Sequence, residues 1–205
     1  QLIAGTAGGQ PVGLSAAGLL FATGRKLSSK TLERLGVASG TAFFPELNRK
    51  SEGVFFRYAE GWKARAVPDK AFIAGKGFKL SFWNLAAVMA GNSPVIYITE
   101  GELDACALVE AGIPVSQVLS VPNGAVERPA EADKEIRGYA YVLDALKAGL
   151  SRTKKFVWCG DADGPGLSLR ADMVRILGAA RFWFVEWPEG CKDANDVLKH
   201  EGADF

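Results

Sequence analysis

The sequence predicts an α/β fold in which a mostly parallel four-stranded sheet, with helices on both faces, follows a small α+β subdomain. From Pro94 onward, short apolar segments alternate with amphipathic segments, which is the pattern of parallel βαβ units. Before Pro94, short β-like segments follow one another between Gly, Pro and Asn turn residues, as in an antiparallel sheet. Residues 90–94, Ala-Gly-Asn-Ser-Pro, are the predicted linker. The predicted domains are therefore residues 1–92 and 93–205.

The composition is that of a globular protein with a buried core. The chain has 205 residues, of which 48% are hydrophobic. No apolar run approaches the roughly 20 residues that span a bilayer, and no signal-peptide pattern opens the chain. Its three cysteines form no C-x-x-C pair, which predicts neither a disulfide framework nor a cysteine zinc site. We expect a cytoplasmic protein without membrane association and, because the chain begins with Gln1, a fragment of a larger one.

The net charge of +1 hides a strong asymmetry between the two halves. Residues 1–92 carry 12 Lys and Arg against 5 Asp and Glu, and residues 93–205 carry 12 against 18. Ordinary surface variation is one explanation. An anion-binding half joined to a cation-binding half explains the asymmetry better.

The first domain is predicted to open with two helices and to continue with three strands. Leu14, Leu19 and Leu20 have helical spacing in the first helix, and Ser28 or Ser29 is the predicted N-cap of the second, which Gly36 ends. The predicted helices are residues 14–23 and 29–35, and the predicted strands are 41–44, 54–58 and 62–67.

The second domain is predicted to alternate four strands with four helices. The strands are residues 95–99, 117–121, 154–159 and 182–185. The helices are residues 101–111, 131–148, 166–177 and 194–200.

Acidic residues follow three of the four predicted strands of the second domain. Glu100 comes directly after the first strand, Asp161 and Asp163 after the third, and Asp193 after the fourth. Ligands of open parallel sheets bind beyond the carboxyl ends of the strands, so these acids are predicted to converge although about 60 positions separate them. Four carboxylates in one cleft repel one another unless a cation neutralises them, and an all-oxygen set selects Mg²⁺ or Mn²⁺.

Each acid taken alone also has an ordinary explanation. Glu100 could be a helix cap or a solvated residue, Asp163 part of a turn, and Asp193 a cap of the last helix. Three clusters at three strand ends favour a shared site. Asp104 lies one helical turn after Glu100 on the same face, so it is predicted to orient the site or to bind metal through water. Glu102 is predicted to point elsewhere and to be solvated.

Four segments of the second domain resemble one family. Residues 98–105, Ile-Thr-Glu-Gly-Glu-Leu-Asp-Ala, resemble the glutamate motif of Toprim domains, and residues 161–166, Asp-Ala-Asp-Gly-Pro-Gly, resemble their DxD motif. Residues 191–198 resemble the K-D-x-N-D/E element of phage primase-helicases and Twinkle helicases, and residues 121–125 resemble the P-N-G-A turn of the same group. The four motifs stand in the expected order over about 100 residues. Haloacid dehalogenase phosphatases also use D-x-D, but theirs ends the first strand and is usually followed by Thr or Val.

The resemblance implies phosphoryl transfer on nucleic acids. Glu100 would be the general acid or base or a metal ligand, with Asp104 beside it in the catalytic set. Asp161, Asp163 and Asp193 would hold Mg²⁺ or Mn²⁺. Metal ions neutralise charge on the attacking and leaving oxygens, and a carboxylate can take the proton of a 3′-hydroxyl group.

The basic half bears a looser resemblance to the subdomain that precedes Toprim in phage-type primases. Residues 27–37 resemble the S-x-x-T-L-x-x-x-G-V helix near its start. Basic residues are interleaved with aromatic ones, a pattern that can follow a phosphate backbone and stack on bases, although the aromatics can equally be core. The predicted nucleic-acid or nucleotide ligands are Arg57, Lys63, Arg65, Lys76 and Lys79.

Two classes of function compete. The first is a Mg²⁺-dependent primase that makes short RNA from ribonucleoside triphosphates on single-stranded DNA. The second is a non-catalytic module that holds single-stranded DNA for an attached helicase, and a Toprim nuclease is a further alternative. Relatives that do not prime tend to lose the acids, so the retention of Glu100 and three aspartates favours the enzyme. The resemblance places it in a phage, a prophage, a bacterial host or an organelle matrix, with a helicase domain as a possible partner. The zinc-binding cysteines and the P-loop of phage primase-helicases do not occur in these 205 residues.

Overall fold

The computed structural model describes residues 11–124 and 136–203, and the chain divides into two compact units, Gln1–Lys79 and Leu80–Phe205. The second unit begins before the boundary predicted after residue 92. Trp83 forms a backbone bridge with Ser120, and the side-chain amide of Asn84 donates to the carbonyls of Val115 and Val118 at 2.7 and 2.8 Å. Residues 80–92 therefore pack with the parallel sheet. The predicted linker overlaps the end of the helix Leu85–Gly91. The helix was not predicted, because the Gly, Asn and Pro residues that follow it are typical of a loop.

The first unit is a four-stranded antiparallel sheet with two helices before it. Neighbouring strands pair in chain order. The helices are α1 (Ala16–Gly24) and α2 (Ser29–Arg34), and the strands are β1 (Ala38–Phe44), β2 (Arg49–Arg57), β3 (Trp62–Val67) and β4 (Phe72–Ala74). The short edge strand β4 was not predicted.

The two helices begin and end on short-range signals. The Ser28 hydroxyl accepts a hydrogen bond from the Thr31 amide and caps α2, and Gly36 takes φ +65° after it. The face of α1 differs from the prediction, because its buried residues are Gly18 and Ala22 whereas Leu20 is 75% exposed. A Cβ at Gly18 would lie 2.0 Å from Oγ of Ser39, so the helix approaches the sheet through a glycine.

The second unit is a fully parallel four-stranded sheet in the order β6-β5-β7-β8, flanked by helices. This confirms the predicted α/β class. The strands are β5 (Val95–Thr99), β6 (Val118–Ser120), β7 (Lys155–Cys159) and β8 (Phe182–Phe184). The helices are α3 (Leu85–Gly91), α4 (Glu102–Glu110), α5 (Ala140–Ala148), α6 (Gly164–Leu177) and α7 (Ala194–Glu201).

The core of the second unit lies on the sheet face formed by Ile96, Ile98, Phe156 and Trp158, against Met173 of α6. Within the described residues the helix predicted at 131–148 is a 3₁₀ turn over Ile136–Tyr139 followed by α5. Residues 131–135 lie outside the described ranges. None of the helices in those ranges is long and apolar enough to cross a membrane.

Candidate active site

The acidic residues gather where the strand order of the parallel sheet reverses. From β5 the chain passes to β6 on one side and later to β7 on the other side, so β5 and β7 are adjacent at the switch point. In open parallel sheets this crevice, beyond the carboxyl ends of the strands, is the usual ligand site. Glu100 directly follows β5, and Asp161 follows β7 by two residues.

Glu100 is held between the end of β5 and the turn after β6. The buried hydroxyl of Thr99 donates to the carbonyls of Gly101 at 2.9 Å and Leu119 at 3.2 Å, which fixes the end of the strand. The Glu100 side chain is half-buried, with Oε2 inside the protein. A Cβ added at Gly124 would lie 3.8 Å from Oε1, so the turn with the P-N-G sequence reaches this carboxylate. Ala125, the last residue of that motif, lies outside the described residues.

The backbone after β7 is fixed by a glycine contact. A Cβ at Gly166 would lie 2.2 Å from the carbonyl oxygen of Asp161, a separation that only glycine permits. Oδ1 of Asp163 accepts a hydrogen bond from the Gly166 amide at 2.9 Å and caps α6. The D-x-D-G-P-G motif thus has a structural role, because it joins the loop that carries Asp161 and Asp163 to the first turn of α6.

Asp193 is brought to the same edge by a backbone contact between two loops. The Ala162 amide donates to the carbonyl of Lys192 at 3.2 Å. Oδ1 of Asp193 accepts from the Asp196 amide at 2.7 Å and caps α7. The loop after β8 therefore lies directly against the loop after β7.

Burial and the neighbouring acids raise the pKa of Asp161. Burial raises the pKa of Asp161 to about 6, and the charges of Glu100, Asp193 and Asp163 act in the same direction while Lys192 opposes them. The charges of Glu100, Asp163 and Asp193 are therefore close enough to Asp161 to affect its pKa. Lys192 was not assigned a role from the sequence, although its position directly before Asp193 is a signal that could have revealed it.

Asp104 connects the site to α7. Its Oδ1 accepts a hydrogen bond from the Asn195 amide at 3.3 Å. Its Oδ2 would lie 2.7 Å from a Cβ at Gly101, so the side chain folds back over the residue that follows Glu100. The predicted roles of Asp104, which are orienting the site, binding metal through water and catalysis, stay predictions.

The prediction for Glu102 was wrong, because this residue is 4% exposed and not solvated. Seven of the nine residues of α4 are buried, so the helix has almost no solvent face on which a first-turn acid could lie. The alternation of acidic and apolar residues in the sequence did not show this burial.

The donor chemistry of the edge suits a hard cation. The four carboxylates supply oxygen ligands alone, and the charges of the other three contribute to the raised pKa of Asp161. No three Asp, Glu, His or Cys side chains form a ready-made metal cluster within residues 11–124 and 136–203. Helix capping holds one oxygen of Asp163 and one of Asp193.

The structure separates the five predicted nucleic-acid ligands. Register places Lys63 and Arg65 on one face of the antiparallel sheet and Arg57 on the other, opposite Trp62. Lys79 pairs with Glu60 at 2.6 Å. Lys76 is exposed in the turn after β4.

Aromatic rings accompany the two basic residues of β3. Nζ of Lys63 lies 5.3 Å from the ring centroid of Phe72, and Cζ of Arg65 lies 5.1 Å from that of Phe21, which Arg25 also approaches at 5.0 Å. Burial and the charge of Arg25 lower the pKa of Arg65 to about 10. Phe21 of α1 and Arg25, which directly follows that helix, were not predicted as neighbours of Arg65, because they reach it only through the fold.

The fold and the acidic edge define the class of the second unit. Residues 97–198 match the family described as Toprim-like, and this part of the chain is a Toprim-like domain. Two curated relatives come from Arabidopsis thaliana. One is a primase homolog protein, 35% identical over an alignment of 196 residues that covers 89% of this chain and 55% of the relative. The other is a chloroplastic/mitochondrial Twinkle homolog protein, 36% identical over 118 residues, 52% of this chain and 16% of the relative.

Solved primase structures share the fold across both units. The primase fragment of the bacteriophage T7 primase-helicase has a TM-score of 0.64 and 19% identity, covering 97% of this chain and 79% of that one. The T7 primase domains bound to an RNA/DNA hybrid and dTTP, beside the lagging-strand DNA polymerase, have a TM-score of 0.62 and 18% identity, covering 94% and 87%. At these identities the likeness concerns the fold alone.

Proposed function

We propose that this chain is the catalytic core of a primase, which joins ribonucleotides into short RNA on a single-stranded DNA template. The observation that supports it best is that Glu100 and Asp161 follow adjacent strands at the switch point of a Toprim-like sheet, with the loop of Asp193 hydrogen-bonded to the loop of Asp161 and Asp163. A parallel sheet alone needs no such concentration of like charges. The primase homolog among the relatives favours the same reaction, and the solved primases share the fold.

In the proposed reaction, the 3′-oxygen of the growing strand attacks the α-phosphorus of a ribonucleoside triphosphate, and pyrophosphate leaves. Glu100 accepts the proton of the 3′-hydroxyl group, a role suited to a half-buried carboxylate at the end of a fixed strand. Asp161, Asp163 and Asp193, with Glu100, would hold Mg²⁺ or Mn²⁺, which supplies charge neutralisation at the attacking and leaving oxygens. Asp104 holds the N-terminal end of α7 and with it the loop of Asp193.

The basic residues of the first unit are proposed to bind the template and the nucleotide. Lys63 and Arg65 lie on one sheet face and would neutralise neighbouring phosphates, whereas Lys76 and Arg57 would act elsewhere on the unit. Lys79 would first have to leave Glu60.

A helicase domain in the same protein or in a partner is part of the proposal. It follows from the primase-helicase and Twinkle relationships, and the chain spans 55% and 16% of the lengths of its two curated relatives. These relationships suggest two compartments, the cytoplasm of a bacterium, where a phage or prophage protein would also act, and an organelle matrix.

The decisive experiment measures RNA synthesis. The protein is incubated with Mg²⁺, mixed-sequence single-stranded DNA and labelled ribonucleotides, and the same assay is run on Glu100→Gln and on the control Asp144→Asn, an exposed acid of α5. Glu100→Gln preserves shape and removes the basic oxygen, so synthesis should fall by about 10²-fold while affinity for DNA is unchanged. Asp144→Asn should synthesise RNA normally.

Three other outcomes would contradict the proposal. Absence of RNA synthesis with every template, even when the chain is joined to its own flanking domains, would make the non-catalytic binding module the better account. Mn²⁺-dependent cutting of DNA that Glu100→Gln stops would assign the acidic edge to a nuclease. Full activity in Glu100→Gln would remove this residue from the mechanism.

A further inference from the structure

The second unit carries an aromatic surface on one face of its sheet, remote in sequence from the acidic edge. Register aligns Tyr97, Val157 and Trp183 in one row across β5, β7 and β8, so the three side chains lie on the same face. Lys155 lies on that face two residues before Val157. Val157 is buried, and the other three residues, Tyr97, Lys155 and Trp183, are called the Trp183 surface below.

This face is covered at its carboxyl end and open at its other end. Thr99 and Cys159 are 0% and 1% exposed, whereas Tyr97 and Lys155 are half-buried and Trp183 is 45% exposed. β8 is the edge strand of the sheet within the described ranges. A large ring that keeps this exposure on an edge strand is available to a ligand.

A cation accompanies the exposed ring. Nζ of Lys155 lies 4.9 Å from the centroid of the Trp183 ring, within the range of a cation–π contact. Lys154 beside it is exposed, so two lysines stand at this edge of a domain whose half of the sequence carries a charge of −6. Local positive charge beside an exposed indole is the combination that binds single-stranded nucleic acid, because bases stack on the ring and phosphates meet the cation.

The strand that presents Trp183 is firmly held. Nη1 of Arg181 donates to the carbonyls of Ser151 and Thr153 at 2.7 and 3.0 Å, and Phe182 packs against the core. The ring of Trp183 is therefore presented from a fixed backbone, which limits the entropy lost when a base stacks on it.

We propose that the Trp183 surface binds single-stranded nucleic acid by stacking a base on Trp183, with Lys155 beside the adjoining phosphate. An apolar protein partner fits less well, because it would remove the Lys155 ammonium group from water without an opposite charge. This binding needs neither Glu100 nor a metal ion. It therefore goes beyond the proposed primer synthesis and can fail or succeed separately from it.

The test compares adjacent residues of β8 in the complete chain. Phe184 is 50% exposed, and Cζ of Arg170 lies 4.3 Å from the centroid of its ring. Strand alternation places Phe184 on the opposite face of the sheet, so it is a matched control. Binding of fluorescent oligothymidylate is measured by anisotropy in EDTA. Trp183→Leu should raise Kd at least about fivefold, Trp183→Phe should retain most of the affinity, and Phe184→Leu should bind normally.

An oligonucleotide with abasic sites supplies a second readout. The unaltered protein should prefer normal to abasic oligonucleotide, and Trp183→Leu should lose part of this preference, because only stacking depends on the base. Unchanged Kd in Trp183→Leu overturns the proposal, and so does an equal loss in Phe184→Leu. If Trp183→Leu changes the sedimentation mass and not the DNA affinity, the surface is a protein contact and the proposal is wrong.

Photocrosslinking keeps the proposal testable if a substitution disturbs folding. An oligonucleotide containing 5-iodouracil, irradiated with the unaltered protein, should crosslink to Trp183 or Tyr97. Crosslinks confined to residues 11–79 would overturn the proposal and leave the proposed template contacts of the first unit intact.

Discussion

The carboxylate of Asp104 accepts a hydrogen bond from the backbone amide of Asn195 at 3.3 Å, and this contact joins the first turns of α4 and α7 across 91 positions of sequence. Asp104→Ala should lower the free energy of unfolding by about 2 kcal/mol, because a hydrogen bond to a charged group is lost and a helix end is released. Asp104→Asn keeps an acceptor oxygen and should cost less. Urea unfolding in EDTA measures both, with the exposed Asp144→Ala as a control that should stay within about 0.5 kcal/mol of the parent.

The glycine contact after β7 predicts opposite effects for two alanine substitutions in one helical turn. Gly166→Ala should destabilise the protein by about 2 kcal/mol or more, because the new Cβ would meet the Asp161 carbonyl oxygen at 2.2 Å. Gly164 has no atom within 4 Å of an added Cβ, so Gly164→Ala should be neutral or stabilising by up to about 1 kcal/mol. Thermal unfolding of both variants checks this, and equal Tm values would show that the turn adapts.

The raised pKa of Asp161 predicts a specific pH dependence of stability. Its folded-state pKa of about 6 lies above its ordinary value of 3.8, so the folded protein binds the proton more tightly. The resulting contribution to stability is complete below about pH 4 and is lost as the pH rises through about 6. Asp161→Asn should remove this component, and the difference should be about 1 kcal/mol because the half-exposed carboxylate is screened.

Urea unfolding at several pH values between 4 and 7 in EDTA measures this component. The stability of the parent should fall more across this range than that of Asp161→Asn. Parallel curves for the two proteins would show that neither burial nor the neighbouring acids raise the pKa of Asp161 in the folded protein.

Metal binding should depend on the D-x-D loop. Replacing both Asp161 and Asp163 with Asn should abolish a Mn²⁺ binding signal in titration calorimetry or electron paramagnetic resonance. The fold should remain at least as stable, because Asn still caps α6 at position 163 and like charges are removed. Asp144→Asn should bind Mn²⁺ as the parent does. Unchanged affinity in the double variant would contradict the proposed ligand set.

DNA binding by the first unit should depend on the charged face of β3. Replacing Lys63 and Arg65 together with Gln should weaken binding to single-stranded DNA and make the dependence of log K on log salt shallower by about 1.4, or 0.7 for each lost phosphate contact. The pair Lys26→Gln and Lys30→Gln removes the same charge from exposed positions of the same unit and should leave the slope unchanged. Equal effects of the two pairs would indicate a general charge effect with no defined binding face.

The acidic site could be predicted because its residues follow strands directly. Apolar runs such as Val95–Thr99 and Lys155–Cys159 identify buried parallel strands without reference to other parts of the chain, and chain direction then decides which end carries the next residue. Glu100 and Asp161 were placed on one edge by this rule alone, and register confirms that the two strands are neighbours. The predicted motifs also contain their own local signals, since Asp163 and Asp193 cap the helices that follow them.

Properties that depend on contacts between distant segments were decided by the tertiary structure. Three such properties are the burial of Glu102, the exposure of Leu20 and the membership of residues 80–92 in the second unit. Each depends on which element packs against the segment, and the pattern of one segment does not identify that element. The same holds for the Phe21 ring beside Arg65 and for Tyr97 aligned with Trp183. The sequence by itself determined the order of the strands and helices from Pro94 onward and the edge on which the acids lie, because both follow from local periodicity and chain direction. Only the fold decided which side chains are exposed beside which charges, because exposure and pairing are set by segments that meet after the chain has folded.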